Sequence, residues 1–160
     1  MKTLVAFYSL EGYTELVAGV IATKLGADIL KLETVKPFPT KGFAKFFIGG
    51  MSSVCKATPK LKNTSIDLSS YDNIVLGTPV WASTFASPIN TLLQKHKFAG
   101  KKVALLVCSG GPDVEKCLVN FRKALVGNEI VGDINFTEPQ KQDKEEVTKR
   151  ATAWAESLKF

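Results

Sequence analysis

The sequence predicts one α/β domain over residues 1–160, in which a five-stranded parallel sheet of order 2-1-3-4-5 carries helices on both faces. Apolar strand-like runs alternate with segments of helical periodicity along the whole chain, which is typical of a parallel sheet with right-handed crossovers. The first, third and fourth runs are almost continuously apolar, so we expect them to be buried on both faces. The second and fifth runs are half polar and are therefore expected at the edges of the sheet.

The N-terminal part of the chain contains the first two predicted strands and the first helix. An apolar run predicts a strand over about residues 3–8, and apolar residues at helical spacing predict a helix over about residues 13–25. The second strand is expected at about residues 27–33, with Ile29 facing the interior and Asp28 and Lys31 facing the other side.

Residues 34–66 form a long basic link between the second and third predicted strands. The link contains six lysines and no acidic residue, and the rest of the chain contains 15 basic and 15 acidic residues. The net charge of +6 is therefore a local property of this link. Its apolar residues recur at helical spacing and predict an amphipathic helix interrupted by Gly49-Gly50: Phe43, Phe46, Phe47, Met51 and Val54. Residues 59–70 are expected to form a connecting loop.

The sequence allows several interpretations of the role of the basic link. Its lysines could steer an acidic redox partner or receive the phosphates of NADPH. Together with the phenylalanines, they could form a membrane-surface helix or a weak nucleic-acid patch. The simplest interpretation is that the phenylalanines pack on the sheet while the lysines are solvated.

The C-terminal half alternates three strands with three helices. Apolar runs predict strands over about residues 73–77, 103–108 and 130–136. The first of the three helices is expected to begin near Pro88, with Ser87 as its N-cap. The second is expected to begin near Asp113, and the third is expected to run from about Lys141 to about residue 158.

Three loops follow the buried strands and are expected to meet at one edge of the sheet, where the carboxyl ends of parallel strands lie. The first is Ser9-Leu10-Glu11-Gly12-Tyr13-Thr14, whose hydroxyls and backbone N–H groups at a helix N-terminus suit a phosphate. The second is Thr78-Pro79-Val80-Trp81-Ala82-Ser83, in which Trp81 offers a flat apolar surface. The third is Cys108-Ser109-Gly110-Gly111, where missing side chains let the backbone approach a ligand closely. These residues are the predicted cofactor-binding set.

A phosphate cradle beside an aromatic plate and a glycine loop suits a flat, phosphorylated aromatic molecule, and FMN fits that description. Trp81 is the candidate plate, and a core or surface aromatic is the simpler interpretation. Trp154 lies on a helical stripe and is expected in the core. Cys108 could contact the ring or be a buried small residue.

The chain resembles the flavodoxin family over essentially its whole length. The family's first-loop pattern, Ser/Thr-x-Thr/Ser-Gly-Asn-Thr, is matched by Ser9, Gly12 and Thr14, whereas Glu11 replaces a hydroxyl and Tyr13 replaces Asn. Residues 72–81 and 100–111 resemble the family's third and fourth strands with their cofactor-flanking loops. The resemblance implies a flavodoxin-like three-layer sandwich that holds FMN in the three loops. Because a carboxylate repels a phosphate, Glu11 is expected to point to solvent and to contribute only its backbone N–H.

The function expected from this resemblance is electron transfer by an FMN-binding, cytoplasmic protein in which no side chain is catalytic. One alternative is an NAD(P)H-dependent FMN oxidoreductase that acts on quinones or other small acceptors. Another is a non-redox interaction module on the same fold. The expected partner is a redox protein docking near the flavin, acidic if the basic link steers it. NAD(P)H is the alternative electron source, and no nucleic-acid partner is expected.

Other chemistries find little support in the sequence. The chain has no Gly-Lys-Ser/Thr phosphate-binding loop, and no apolar run approaches the length of a bilayer span. Its three cysteines and single histidine lack metal-ligand spacing, and an odd number of cysteines argues against a disulfide framework. A phospho-acceptor receiver domain would need carboxylates where this chain has Ser9 and Thr78.

Overall fold

The computed structural model describes residues 1–63, 65–96, 98–112 and 114–160. In this part of the chain the strands are β1 (Thr3–Phe7), β2 (Asp28–Lys31), β3 (Asn73–Trp81), β4 (Thr84–Phe85), β5 (Lys102–Ser109) and β6 (Glu129–Thr137). The α-helices are α1 (Tyr13–Leu25), α2 (Gly42–Val54), α3 (Ser87–Lys95), α4 (Glu115–Ala124) and α5 (Lys144–Ser157). Short 3-10 helices lie at Leu68–Ser70 and Pro139–Lys141. The predicted start of the fourth helix, near Asp113, lies outside the described residues.

The sheet has the order β2-β1-β3-β5-β6, and its neighbouring strands are parallel. This confirms the predicted fold and the predicted strand order. Strand β4 was not predicted; it pairs antiparallel with the end of β3 through Val80–Phe85 and Trp81–Thr84. The two turn residues, Ala82 and Ser83, have positive φ angles of 48° and 61°. Hairpin turns of this kind usually contain glycine or asparagine, so their usual sequence signal is missing here.

Helices cover the sheet on both faces and bury two apolar layers. On one face the sheet packs against residues of α3 and α4, among them Ile89, Leu92 and Phe121. On the other face it packs against α1 and α5 through residues such as Val17, Ile21 and Ala151. The central strands β1, β3 and β5 are buried on both faces, as predicted from their apolar runs.

Three local predictions were wrong. Ile29 does not face the interior: it is 55% exposed, because β2 is an edge strand, and Leu30 is the buried residue instead. Ser87 is the first residue of α3 rather than its N-cap, which is Ala86. The last helix begins at Lys144, three residues later than predicted, where the Asp143 carboxylate accepts a hydrogen bond from the Glu146 N–H.

Helix α2 contradicts the predicted interruption and one of the open interpretations of the basic link. It runs through Gly49-Gly50 without interruption, and its phenylalanines are exposed instead of packed on the sheet. The helix lies so close to the end of β3 that a Cβ at Gly49 would be 3.4 Å from the Trp81 ring. Only small side chains fit on that side, so the large apolar ones face outward.

No helix in the described ranges combines the length and the apolar character that a membrane span requires.

Candidate functional site

The three predicted loops converge on a cavity of ≈ 360 Å³ at the carboxyl ends of β1, β3 and β5. The loops contribute Glu11, Tyr13, Pro79, Val80, Trp81, Ala82, Cys108, Ser109 and Gly110 to its lining. A smaller recess of ≈ 40 Å³ adjoins it and adds Ser9, Leu10 and Thr14. Twelve of the predicted residues therefore line one connected region, which we call the loop cavity.

Four of the predicted residues do not line the loop cavity: Gly12, Thr78, Ser83 and Gly111. Gly12 instead shapes the first loop, because its φ of 89° at the N-cap of α1 is a conformation that glycine adopts without strain. Thr78 is fully buried, and its hydroxyl accepts a hydrogen bond from the Ala86 N–H at 2.9 Å. Thr78 therefore supports the turn that leads into α3.

The first loop presents unpaired backbone donors at the N-terminus of α1. The Ser9 hydroxyl accepts from the N–H groups of Gly12 at 3.1 Å and Glu15 at 3.2 Å. The N–H groups of Tyr13 and Thr14 have no acceptor in the described part of the chain. Such free donors, together with the helix dipole, favour an anion at this position.

Thr14 supplies the clearest sign that this region is suited to a polar ligand. Its side chain is 1% exposed, lines the small recess, and has a hydroxyl oxygen with no hydrogen-bond partner among the described residues. Burial raises the pKa of the nearby Cys108 thiol and the Thr14 hydroxyl acts in the opposite direction, but the two groups do not meet hydrogen-bond geometry. A buried hydroxyl without a partner costs about 1–3 kcal/mol, so a bound acceptor or donor would recover that energy.

Trp81 forms an aromatic wall of the cavity and is not an isolated plate. Its ring packs edge-to-face against Tyr8, with centroids 5.5 Å apart, and against Phe38 at 4.9 Å. On another side the ring lies beside Gly49 of α2, so close that an added Cβ would be 3.4 Å from it. These contacts hold the ring in place while part of it still borders the cavity.

The third loop offers backbone rather than side chains. The Ser109 hydroxyl donates to the Gly111 carbonyl and fixes the turn. A Cβ added at Gly110 or Gly111 would meet nothing within 4 Å, so the backbone here borders open space. A flat ligand can therefore approach the peptide groups of this loop closely.

The cavity is also lined by charged side chains that were not predicted from the sequence. Lys45 of α2 pairs with the Glu11 carboxylate at 2.6 Å, and Lys141 pairs with Glu138 at 2.7 Å. Glu11 therefore does not simply point to solvent: Lys45 neutralises it beside the candidate phosphate position. Lys45 is the only charged residue of α2, a signal that the sequence already contained. Phe46 and Gly50 of the same helix also line the cavity.

Among the described residues, no group of three His, Cys, Asp or Glu side chains is placed to hold a metal ion. The three cysteines are unpaired, with Cys55 exposed and Cys108 and Cys117 buried.

Because the Cys108 and Cys117 thiols are buried, we expect the folded protein to become less stable at alkaline pH. Burial raises the pKa of Cys108 and of Cys117 from 9.0 to about 12. Above the pKa of the unfolded chain, the unfolded state loses protons that the folded state keeps, so stability falls as pH rises. We expect a loss of up to about 1.4 kcal/mol per pH unit for each thiol above about pH 9. Urea unfolding at several pH values should show a shallower decline for Cys117→Ala than for the wild type, and equal slopes would contradict this.

Comparison with known proteins gives a consistent result. A family model described as Flavodoxin matches residues 2–157. The fold is shared with a Bacteroides eggerthii protein designated a flavoprotein, at 21% identity and a TM-score of 0.79 over 99% of this chain and 98% of that one. A flavoprotein from Lactobacillus acidophilus, solved in complex with FMN, is 25% identical, with a TM-score of 0.74 over 92% of this chain and 97% of that one. Oxidised flavodoxin 2 from Bacillus cereus is 20% identical, with a TM-score of 0.58 over 98% and 97%. The search of curated proteins found no match.

Proposed function

The chain belongs to the flavodoxin family, and from that membership we propose that it binds FMN in the loop cavity and serves as an electron carrier. The observation that carries the proposal is the unpartnered Thr14 hydroxyl beside the free N–H groups of the first loop. A phosphate at this position would satisfy these donors together. The cavity volume of ≈ 360 Å³ lies within the range of about 300–1,000 Å³ that is usual for small-molecule sites.

Each part of the cavity has a role in holding the cofactor. Thr14 and the N–H groups of Tyr13 and Thr14 would bind the phosphate, and Trp81 would border the ring. The open backbone at Ser109 and Gly110 would lie along the ring's polar edge. When bound, FMN supplies the electron-accepting and electron-donating chemistry. The FMN complex of the Lactobacillus acidophilus flavoprotein supports this assignment.

The protein's own side chains are suited to binding rather than to proton transfer. The carboxylates of Glu11 and Glu138 are paired with lysines, and burial keeps the Cys108 thiol protonated at neutral pH, with a pKa of about 12. This supports a carrier, in which the protein positions the cofactor and does not act as acid or base.

Lys45 is expected to strengthen phosphate binding, because it neutralises Glu11 beside the phosphate position. Replacing Lys45 by methionine removes the partner of Glu11 and leaves a carboxylate facing the phosphate. We expect FMN affinity to fall by about tenfold or more in a fluorescence titration, since a charge-assisted contact contributes about 1.5–3 kcal/mol. The double variant Glu11→Gln/Lys45→Met should recover part of the loss. Unchanged affinity in Lys45→Met would place the phosphate elsewhere.

The second candidate function, an NAD(P)H-dependent reductase, is favoured by a neighbouring cavity. This cavity of ≈ 410 Å³ shares Ala82 with the loop cavity and is lined by three lysines: Lys56, Lys116 and Lys123. Ser53 also lines it, and its buried hydroxyl has no partner among the described residues. Such a lining suits the phosphates of a dinucleotide.

Mixing FMN-loaded protein with NADPH or NADH without oxygen separates the two functions. A carrier keeps its visible flavin absorbance, because it receives electrons from a partner protein. Rapid bleaching would contradict the carrier and support the reductase. In that case Lys116→Glu/Lys123→Glu should slow the bleaching by NADPH while leaving FMN affinity unchanged.

A further inference from the structure

The outer face of α2 exposes more large apolar surface than any other described element. Six of its thirteen residues are large apolar side chains exposed by nearly half or more: Phe43 79%, Phe46 71%, Phe47 55%, Ile48 48%, Met51 47% and Val54 59%. The rings of Phe43 and Phe47 stack with centroids 5.6 Å apart, so they form a continuous ridge. Exposed apolar patches of this kind mark interaction sites.

The packing of α2 explains why these side chains remain exposed, although Phe46 also borders the loop cavity. The buried residues of the helix are Gly49 and Ser53, and Ser52 lies 3.0 Å from Ser87 through their hydroxyl oxygens. The only charged residue, Lys45, is held towards the body by Glu11. The helix is therefore anchored by its small and polar residues, and it leaves an uncharged apolar ridge facing outward.

Positive charge surrounds the ridge. Lys41 precedes the helix, Lys56 follows it, and Lys36 and Lys60 lie in the adjoining segments, with all four exposed. None of the four pairs with a carboxylate in the described ranges. The basic link contains no acidic residue, so its surface attracts anionic partners.

We propose that α2 is a peripheral membrane-binding element, which inserts its apolar ridge into an anionic lipid surface while Lys41 and Lys56 contact the headgroups. An aromatic ridge flanked by lysines has the composition of interfacial helices. Anionic lipid surfaces attract basic segments within about a Debye length. The proposal does not depend on the cofactor.

A second copy of the chain suits this surface less well. A symmetric contact through α2 would bring the two basic links together, with the four unpaired lysines of one copy near the four of the other. The ridge is also convex, since it is the outer face of one helix. A fluid lipid surface adapts to a convex ridge, whereas a protein partner needs a matching groove.

The test is co-sedimentation of the protein with vesicles. The wild type should bind vesicles of equal parts phosphatidylglycerol and phosphatidylcholine, and raising the salt from about 0.1 M to about 0.5 M should weaken binding several-fold. Phe43→Asp/Phe47→Asp should reduce binding by about tenfold or more, because it puts charge in the inserted ridge. Lys41→Glu/Lys56→Glu should reduce it by a similar factor. Val126→Asp is the matched control and should bind like the wild type, since Val126 is 82% exposed and lies between α4 and β6, at the amino ends of the parallel strands and so away from α2.

Retained thermal stability in Phe43→Asp/Phe47→Asp will show that the variant is folded, as expected for exposed positions. Absence of vesicle binding by the wild type would overturn the proposal, as would equal binding to pure phosphatidylcholine. So would a dimer in gel filtration that Phe43→Asp/Phe47→Asp converts to a monomer, because the ridge would then be a protein interface.

Discussion

Replacing Thr14 by valine is expected to weaken FMN binding by about 10- to 100-fold without destabilising the protein in the absence of FMN. The hydroxyl has no partner in the described chain, so the folded apoprotein loses no hydrogen bond when it is removed. Burying an unpaired hydroxyl costs free energy, so the valine variant should unfold at the same temperature or higher. In the complex, the same hydroxyl would donate to a charged phosphate, a bond that contributes about 1.5–3 kcal/mol.

Two measurements on one variant test this expectation. Quenching of FMN fluorescence gives the affinity, and thermal unfolding without FMN gives the stability. Thr23→Val is the matched control, because Thr23 is an exposed residue of the same helix whose hydroxyl donates to the Gly19 carbonyl. It should leave FMN affinity unchanged. If Thr14→Val destabilised the apoprotein and left FMN affinity intact, the hydroxyl would be a structural group instead of a phosphate ligand.

Replacing Gly77 by valine is expected to have the largest effect on folding. A Cβ at this position would lie 2.8 Å from the Phe7 Cβ, 3.1 Å from the Thr14 Cγ2 and 3.3 Å from the Leu106 Cδ2. The nearest of these atoms belongs to a buried central strand, so it cannot move aside without shifting the sheet. Overpacking of this kind costs about 1–3 kcal/mol or more, and valine adds two further methyl groups. We expect a loss at the upper end of that range or failure to fold.

Gly19→Ala is the control for this substitution. Gly19 lies within α1, and a Cβ there would meet nothing within 4 Å. Alanine should therefore stabilise the helix by about 0.5–1 kcal/mol. Urea unfolding of the two variants should shift the midpoint in opposite directions. A Gly77→Val protein as stable as the wild type would show that β1, β3 and α1 do not pack as described.

The layers of the fold could be predicted because they depend on local patterns. Continuous apolar runs identify strands buried on both faces, and their order follows from which strands are polar enough to be edges. The three loops could be located for the same reason, since each follows a strand whose end is clear in the sequence. The positions of Thr14, Trp81 and Ser109 beside the loop cavity could be predicted in this way.

The other features of the fold and the site could not be predicted, because they depend on how segments distant in sequence approach one another in space. Lys45 enters the loop cavity because α2 folds back over the first loop, 34 residues away along the chain. The periodicity of α2 identified a helix but not which side packs inward, because Gly49 permits an approach to Trp81 that a larger residue would block. The β3–β4 hairpin escaped prediction because Ala82 and Ser83 occupy positive φ angles without a glycine.

Titration of the purified protein with FMN and with riboflavin tests the central claim most directly, because the two molecules share the ring and differ in the phosphate. We predict that FMN binds with one-to-one stoichiometry and that riboflavin binds about 100-fold more weakly, since only FMN carries a phosphate that can satisfy the Thr14 hydroxyl and the free N–H groups. Equal affinities for the two molecules, or no binding of FMN, would contradict the assignment of the loop cavity as an FMN site.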